Sequence, residues 1–288
     1  MASLKKNLVA RKKIINLTSM KNHRPKNLAK RIADCGKNNF GHVLIIGGDF
    51  GMGGSVIMAA EASYRAGAGK VTVLTRADNI SALLARVPNA MSCVSQNLTA
   101  EILENKTVIV IGCGLGKSAW AKQLLRQALK SNLPKIIDAD ALNILSESRK
   151  KFDLSNCVIT PHVGEAARLL KISTTEIQQD RQLALQKLQK KFGAVVVLKG
   201  NKTLVLGSKK IHQCRYGNPG MATAGMGDIL SGIIGALIAQ HLEILQATIY
   251  AVDIQAFAGD LVAKKQGEIG MMPQDLLPQI PYIINLKK

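Results

Sequence analysis

From residue 41 onward the chain alternates short, wholly apolar runs rich in Val and Ile with longer stretches whose apolar positions recur every three or four residues. The first pattern predicts strands buried on both faces, the second amphipathic helices. Residues 43–46 end at Gly47-Gly48, residues 56–65 carry helical spacing and residues 71–74 form the next apolar run, a βαβ unit. Residues 108–111 lead into Gly112-Cys113-Gly114-Leu115-Gly116 and a helix over 118–130. Ile136-Ile137 runs into Asp138-Ala139-Asp140 with a helix behind it, and residues 158–160 stop at Pro161 before a helix that starts near Gly164. One long helix is predicted over 175–191, then a strand over 194–198. Residues 203–206 and 210–213, split by Gly207-Ser208, read as a hairpin. Helices follow over 228–239 and 245–263, with a short one after Pro273. The pattern predicts an α/β fold, a mostly parallel, doubly wound sheet with helices on both faces and a small β-hairpin near 202–213.

Composition narrows the class. With 288 residues, 47% of them apolar, the chain can bury a large core. No apolar run reaches the roughly 20 residues that span a bilayer, and the start lacks the continuous apolar segment of a secretory signal. A cytoplasmic protein without a membrane partner is expected. Residues 1–38 carry eleven lysines and arginines against one acid, Asp34, which is half of the net charge of +20. They read as a basic N-terminal extension before a single domain over 39–288. Such an arm can hold nucleic acid, be a solvated tail or draw in small anions. No aromatics are interleaved with its charges for base stacking, so nucleic acid is disfavoured as the partner. Five cysteines at 35, 93, 113, 157 and 214, with no Cys-x-x-Cys pair, disfavour a disulfide framework or a zinc site.

The glycine-rich loops carry the chemistry. Gly217 to Asp228 is a glycine-rich turn that feeds an apolar helix. The unpaired amides of such a helix start hold phosphate, and Asp228 in its first turn can deprotonate a hydroxyl that meets the phosphorus. The structural alternative is a plain turn with an acid favouring the helix start. Gly47 to Ser55 follows a strand as a dinucleotide loop does, but Arg76 stands where a Rossmann enzyme has an acid after its second strand. Gly112 to Ser118 resembles a Walker loop but has Ile111 where the first glycine belongs. His162 and Glu165 lie just beyond a strand, and Lys199, Gly200, Asn201, Lys202 and Thr203 form a polar turn suited to a polyphosphate.

Seven ordered segments together resemble the ADP- or ATP-dependent NAD(P)H-hydrate dehydratases of the ribokinase-like superfamily: residues 41–48, 65–69, 112–116, 138–143, 160–165, 197–203 and 218–228. The resemblance runs from Gly41 to about Tyr282. It implies repair of hydrated NADH or NADPH, with ADP or ATP as co-substrate that phosphorylates the ring hydroxyl before phosphate departs. It assigns Asp228 as the base, and Ser55, Gly114, His162 and Asp228 to the hydrated cofactor. Lys199, Gly200, Asn201, Lys202, Thr203 and Gly227 fall to the adenine nucleotide, and the amides of Gly225, Met226 and Gly227 to the transferred phosphoryl group. Mg2+ would ride on the phosphates with no direct protein ligand, reached by Glu165 through water. Ser55 departs from the family's alanine, and Gly36-Lys37-Asn38-Asn39 from its His-Lys-Gly. The family also implies a homotetramer, and the epimerase domain that many relatives carry is expected on a separate chain or missing. A ribokinase-like kinase for a vitamin precursor or a sugar is the alternative.

Overall fold

The apolar runs pair into one nine-stranded sheet in the order β3-β2-β1-β4-β5-β6-β7-β8-β9. In this computed structural model, which describes residues 31–148, 150 and 152–286 together with Met20, Arg24, Pro25 and Leu28, the strands are β1 (His42–Ile46), β2 (Lys70–Leu74), β3 (Met91–Cys93), β4 (Val108–Ile111), β5 (Lys135–Ile137), β6 (Cys157–Ile159), β7 (Val195–Leu198), β8 (Leu204–Leu206) and β9 (His212–Gln213). The first seven run parallel, and β8 and β9 add antiparallel at one edge. The mostly parallel sheet and the hairpin are as the sequence predicts. Most of the basic segment expected over residues 1–38 lies outside the described residues.

Alternation along each strand splits the core between two faces. Val43, Ile45, Val108 and Val110 point to one face, covered by α1 (Gly53–Arg65), α9 (Met226–Ala239) and α10 (Ile244–Gln266). Leu44, Ile46, Ile109 and Ile111 point to the other, under α4 (Ala119–Ala128), α5 (Ala139–Glu147), α6 (Val163–Leu170) and α8 (Arg181–Phe192). Met20 and Leu28 are buried with the first face. The chain turns from β1 to β2 on one side and to β4 on the other, so the crevice at the carboxyl ends of β1 and β4 is the topological switch point where ligands bind in such sheets.

Helix α9 is apolar all round because it is buried all round. Two glycines let its backbone approach its neighbours. A Cβ at Gly232 would stand 2.3 Å from the Ala59 carbonyl of α1, and one at Gly235 would stand 2.7 Å from Val110 in β4. Ser63 of α1 also donates to the Gly232 carbonyl at 3.1 Å. This packing fixes where the first turn of α9 emerges.

One prediction needs correction. The helix expected over 175–191 is two, α7 (Thr174–Gln179) and α8, broken at Asp180. The Asp180 carboxylate accepts from the Leu183 amide at 2.9 Å, a capping bond that starts a new helix inside a polar stretch where periodicity alone sees none. Strand β3 and the short helices α2 (Ile80–Arg86) and α3 (Ala100–Leu103) are additional elements.

Candidate functional site

The loops after β1 and β4 are zipped together at the switch point. Gly48 donates to the Cys113 carbonyl at 3.1 Å and Asp49 to the Gly114 carbonyl at 2.7 Å. A Cβ at Gly114, whose φ is +55°, would stand 2.7 Å from the Met52 carbonyl and 3.1 Å from the Ser55 Cβ. Ser55 and Gly114, both predicted to face the substrate, therefore meet. The first turn of α9 reaches the same place. Its N-cap, Gly225, is left-handed (φ +95°) and supplies no side-chain cap, and Ile229 is the first amide bonded back into the helix. The amides of Met226, Gly227 and Asp228 are thus available to an anion.

Asp228 is shifted well toward neutral pH. Burial, followed by the negative charge of Asp138, pushes its carboxyl up to about 6, although bonds from Cys113 and Ser55 and the charge of Lys199 pull the other way. A carboxylate held there is poised to accept a proton near pH 7.

Behind Asp228 lies a buried polar chain. Asp138, at the carboxyl end of β5 and 1% exposed, accepts from Lys199 Nζ at 2.7 Å, from Ser231 Oγ of α9 at 2.9 Å and from the Ala139 amide at 2.9 Å. Burial pushes this carboxyl up, but the Lys199 ammonium and these bonds more than offset it and hold it below the usual range. Ala139 beside it takes a left-handed φ of +47°, a strained choice for a residue with a Cβ. For Lys199, burial pulls the ammonium down, and the charges of Asp138 and Glu165 overcome that and raise it. Lys199 Nζ also stands 3.9 Å from Glu165 Oε2. Glu165 in turn accepts from the His162 amide at 2.8 Å, and its other oxygen is 3.5 Å from His162 Nε2. Burial, then Lys199, lowers the His162 pKa, so its ring is neutral at pH 7. Its Nδ1 accepts the Gly164 amide at 2.9 Å, which puts the ring proton on Nε2.

On the other side of Asp228 a cavity of about 480 Å³ opens between the hairpin and helices α9 and α10. Lys199, Gly200, Asn201, Lys202, Thr203 and Gly227 all line it, with Asn218 and Met226. A Cβ at Gly227 would stand 3.2 Å from Lys199 Nζ, a tight contact that would press on the ammonium at the cavity's end. The 199–203 turn is braced from outside by Arg181, which donates to the carbonyls of Leu198 (3.1 Å), Lys199 (3.3 Å) and Asn201.

The predicted residues therefore fall into two groups. Lys199 to Thr203, Met226 and Gly227 surround the cavity, Ser55 and Gly114 share the crevice with Asp228, and His162 joins through Glu165 and Lys199. Gly225 caps α9 without lining the cavity. Sequence reasoning left Asp138, Ser231 and Arg181 without a role. For Asp138 the signal was its place at a strand's carboxyl end; Ser231, one helical turn after Asp228 in an apolar run, and Arg181 gave none.

Residues 43–282 match the family described as NAD(P)H-hydrate dehydratase. The chain is 48% identical over 261 residues to the bifunctional NAD(P)H-hydrate repair enzyme of Coxiella burnetii, covering 90% of this chain and 53% of that one. The chain thus spans about half the length of this curated relative. It is 36% identical to the ADP-dependent (S)-NAD(P)H-hydrate dehydratase of Neisseria meningitidis, covering 88% of each. A ribokinase-like superfamily protein of Enterococcus faecalis superposes with a TM-score of 0.83 at 33% identity, over 93% of this chain and 94% of that one. The chain belongs to the NAD(P)H-hydrate dehydratase family.

Proposed function

We propose that the protein dehydrates hydrated NADH or NADPH, (6S)-NADHX or (6S)-NADPHX, at the expense of ADP or ATP, releasing NADH or NADPH, phosphate, and AMP or ADP. The observation that carries this reading is the position of Asp228, one carboxylate raised to about 6 between a nucleotide-sized cavity and the substrate crevice. The nucleotide lies in the cavity with its phosphates toward Gly227 and Lys199. The ring hydroxyl of the hydrate enters beside Ser55 and Gly114, and Asp228 takes its proton as the oxygen attacks the terminal phosphorus. The bond from that phosphorus to the nucleotide's bridging oxygen breaks, and the amides of the first α9 turn hold the transferred group. Phosphate is a far better leaving group than hydroxide. The ring nitrogen's electron pair expels it, and loss of a neighbouring C–H proton restores the reduced ring.

Among the described residues no three His, Cys, Asp or Glu side chains gather to hold a metal. In this reading Mg2+ is carried by the nucleotide's phosphates, whose charge it neutralises, with Glu165 reaching it through water. Glu165 is buried and its Oε2 accepts from the His162 amide. The reading extends to a cytoplasmic homotetramer of one domain over 39–288, served by an epimerase that interconverts the two hydrate epimers. Among the described residues no helix is long and apolar enough to cross a membrane.

Incubation of the pure protein with hydrated NADH, magnesium and either ADP or ATP is the direct test. Reduced-nicotinamide absorbance should rise as inorganic phosphate appears in equal amount. Phosphate retained on an unchanged hydrate would identify a kinase instead, and no absorbance gain with either nucleotide overturns the reading.

A further inference from the structure

We propose that the exposed ring of Phe50 is a stacking platform for the adenine of the hydrated dinucleotide, binding the half of the substrate that does not react. The inference rests on the reading that hydrated NADH or NADPH is the substrate. A reduced nicotinamide dinucleotide brings two nucleotides. The reacting one belongs at Asp228, and the cavity lined by residues 199–203 takes the co-substrate's own adenylate, so the second half of the substrate needs a separate surface.

The β1–α1 loop offers one. Phe50 is 67% exposed, although the inner face of its ring is covered by the Arg76 guanidinium, 4.7 Å from the centroid. The outer face is therefore open. Arg76 is itself sandwiched, with the Trp120 ring 4.1 Å below it, and is locked by an ion pair of 2.7 Å to Asp49. Asp49 is held in turn by the Ser118 hydroxyl at 2.7 Å. Two planar groups in a braced stack under an open ring form a rigid surface, which binds a base without first having to be ordered.

The stack is continuous with the reacting site. Asp49 donates its amide to the Gly114 carbonyl, and the Asp49 carboxylate lies 2.9 Å from where a Gly116 Cβ would be. Between Phe50 and Ser55, Cβ positions at Gly51 and Gly54 meet nothing within 4 Å, which leaves room for the pyrophosphate that links the two halves. Because the charge of Arg76 is already paired with Asp49, the platform works by stacking.

Equilibrium titrations test this, with AMP present to fill the nucleotide cavity. NADH and reduced nicotinamide mononucleotide are each bound to wild-type protein, Phe50→Ala and Phe50→Trp. A lost base–aromatic stack weakens binding by roughly tenfold. Phe50→Ala should lose that much affinity for NADH and none for the mononucleotide, which has no adenine, and Phe50→Trp should keep wild-type affinity for both. Unchanged NADH affinity in Phe50→Ala, equal weakening of both ligands, or no NADH binding by the wild type overturns the proposal. A protein that shows the predicted pattern but makes no NADH from the hydrate keeps the platform and loses the dehydration reading.

Discussion

The cavity and the crevice meet at two consecutive residues, Gly227 and Asp228, yet they are built in opposite ways. The cavity's charged groups come from one contiguous turn, residues 199–203, at an exposed rim, while the segment 216–222 and helices α9 and α10 supply the rest of its lining. The crevice takes residues from the loops after β1, β4, β5 and β6 and from the first turn of α9, and it is backed by ions withdrawn from water. The difference separates two tasks. A polyphosphate carries enough charge to be held by amides and ammonium groups in a wet groove. A carboxylic acid becomes a base that works near neutral pH only where desolvation and a neighbouring anion resist its ionisation. Substitutions should therefore sort into those that change turnover and those that change the apparent affinity for nucleotide.

The largest effect expected is on the crevice side. Asp228→Asn should lower kcat by a hundredfold or more, the usual worth of a positioned base, while ADP binding measured by calorimetry stays near that of the wild type. The same variant carries a stability signature. The folded state raises this carboxyl to about 6 from about 4 in the unfolded chain, so ionised Asp228 costs on the order of 3 kcal/mol above pH 6. Asp228→Asn should thus be more stable than the wild type above pH 6. The gain should fade as pH drops from 6 to about 4, where the wild type is relieved of the cost. Urea denaturation at several pH values checks both halves.

Asp138→Asn comes next. It leaves the Lys199 ammonium without its 2.7 Å partner and should destabilise the protein by about 3 kcal/mol, toward the lower end for a buried pair because Lys199 keeps some exposure. Denaturant midpoints would read it, and a shift below 1 kcal/mol would show that Glu165 alone suffices for Lys199. On the cavity side, Gly200→Ala forces a side chain into a φ of +139°, with its Cβ 3.1 Å from Arg181 Nη2. Backbone strain of that kind costs about 1–3 kcal/mol, so KM for ADP should rise roughly tenfold with kcat little changed. Steady-state kinetics would show whether the two numbers separate. The smallest effect belongs to Ser55→Ala. Its hydroxyl is one of two groups bonded to the Asp228 carboxyl, and its loss should move the acid limb of the activity profile upward by a few tenths of a pH unit.

The same contrast explains what the sequence discloses. Contiguity made the cavity legible, because Lys199 to Thr203 announce a polar turn at a strand end, and the Gly217 to Asp228 run announces a helix start. The mostly parallel sheet covered on both faces was legible in the apolar runs, whereas the strand order appears only in the fold. The partnership of Asp138 with Lys199 and Ser231 was not legible, since it joins residues 61 and 93 positions apart that meet only after β5, β7 and α9 have packed. Ser55 reads in sequence as a substrate contact; its bond to Asp228 emerges only once α1 and α9 lie against each other. Asp180 was missed for a local reason, because a capping aspartate inside a polar helical stretch does not disturb the apolar period.

The central claim is that Asp228 is the base, tuned by its burial beside Asp138. The measurement that tests it most directly is the pH dependence of kcat/KM for hydrated NADH with ADP saturating. The wild type should lose activity tenfold per pH unit below an apparent pKa near 6, and the residual activity of Asp228→Asn should lack that limb. A wild-type profile flat through pH 6, or a limb that survives unchanged in Asp228→Asn, would contradict the account.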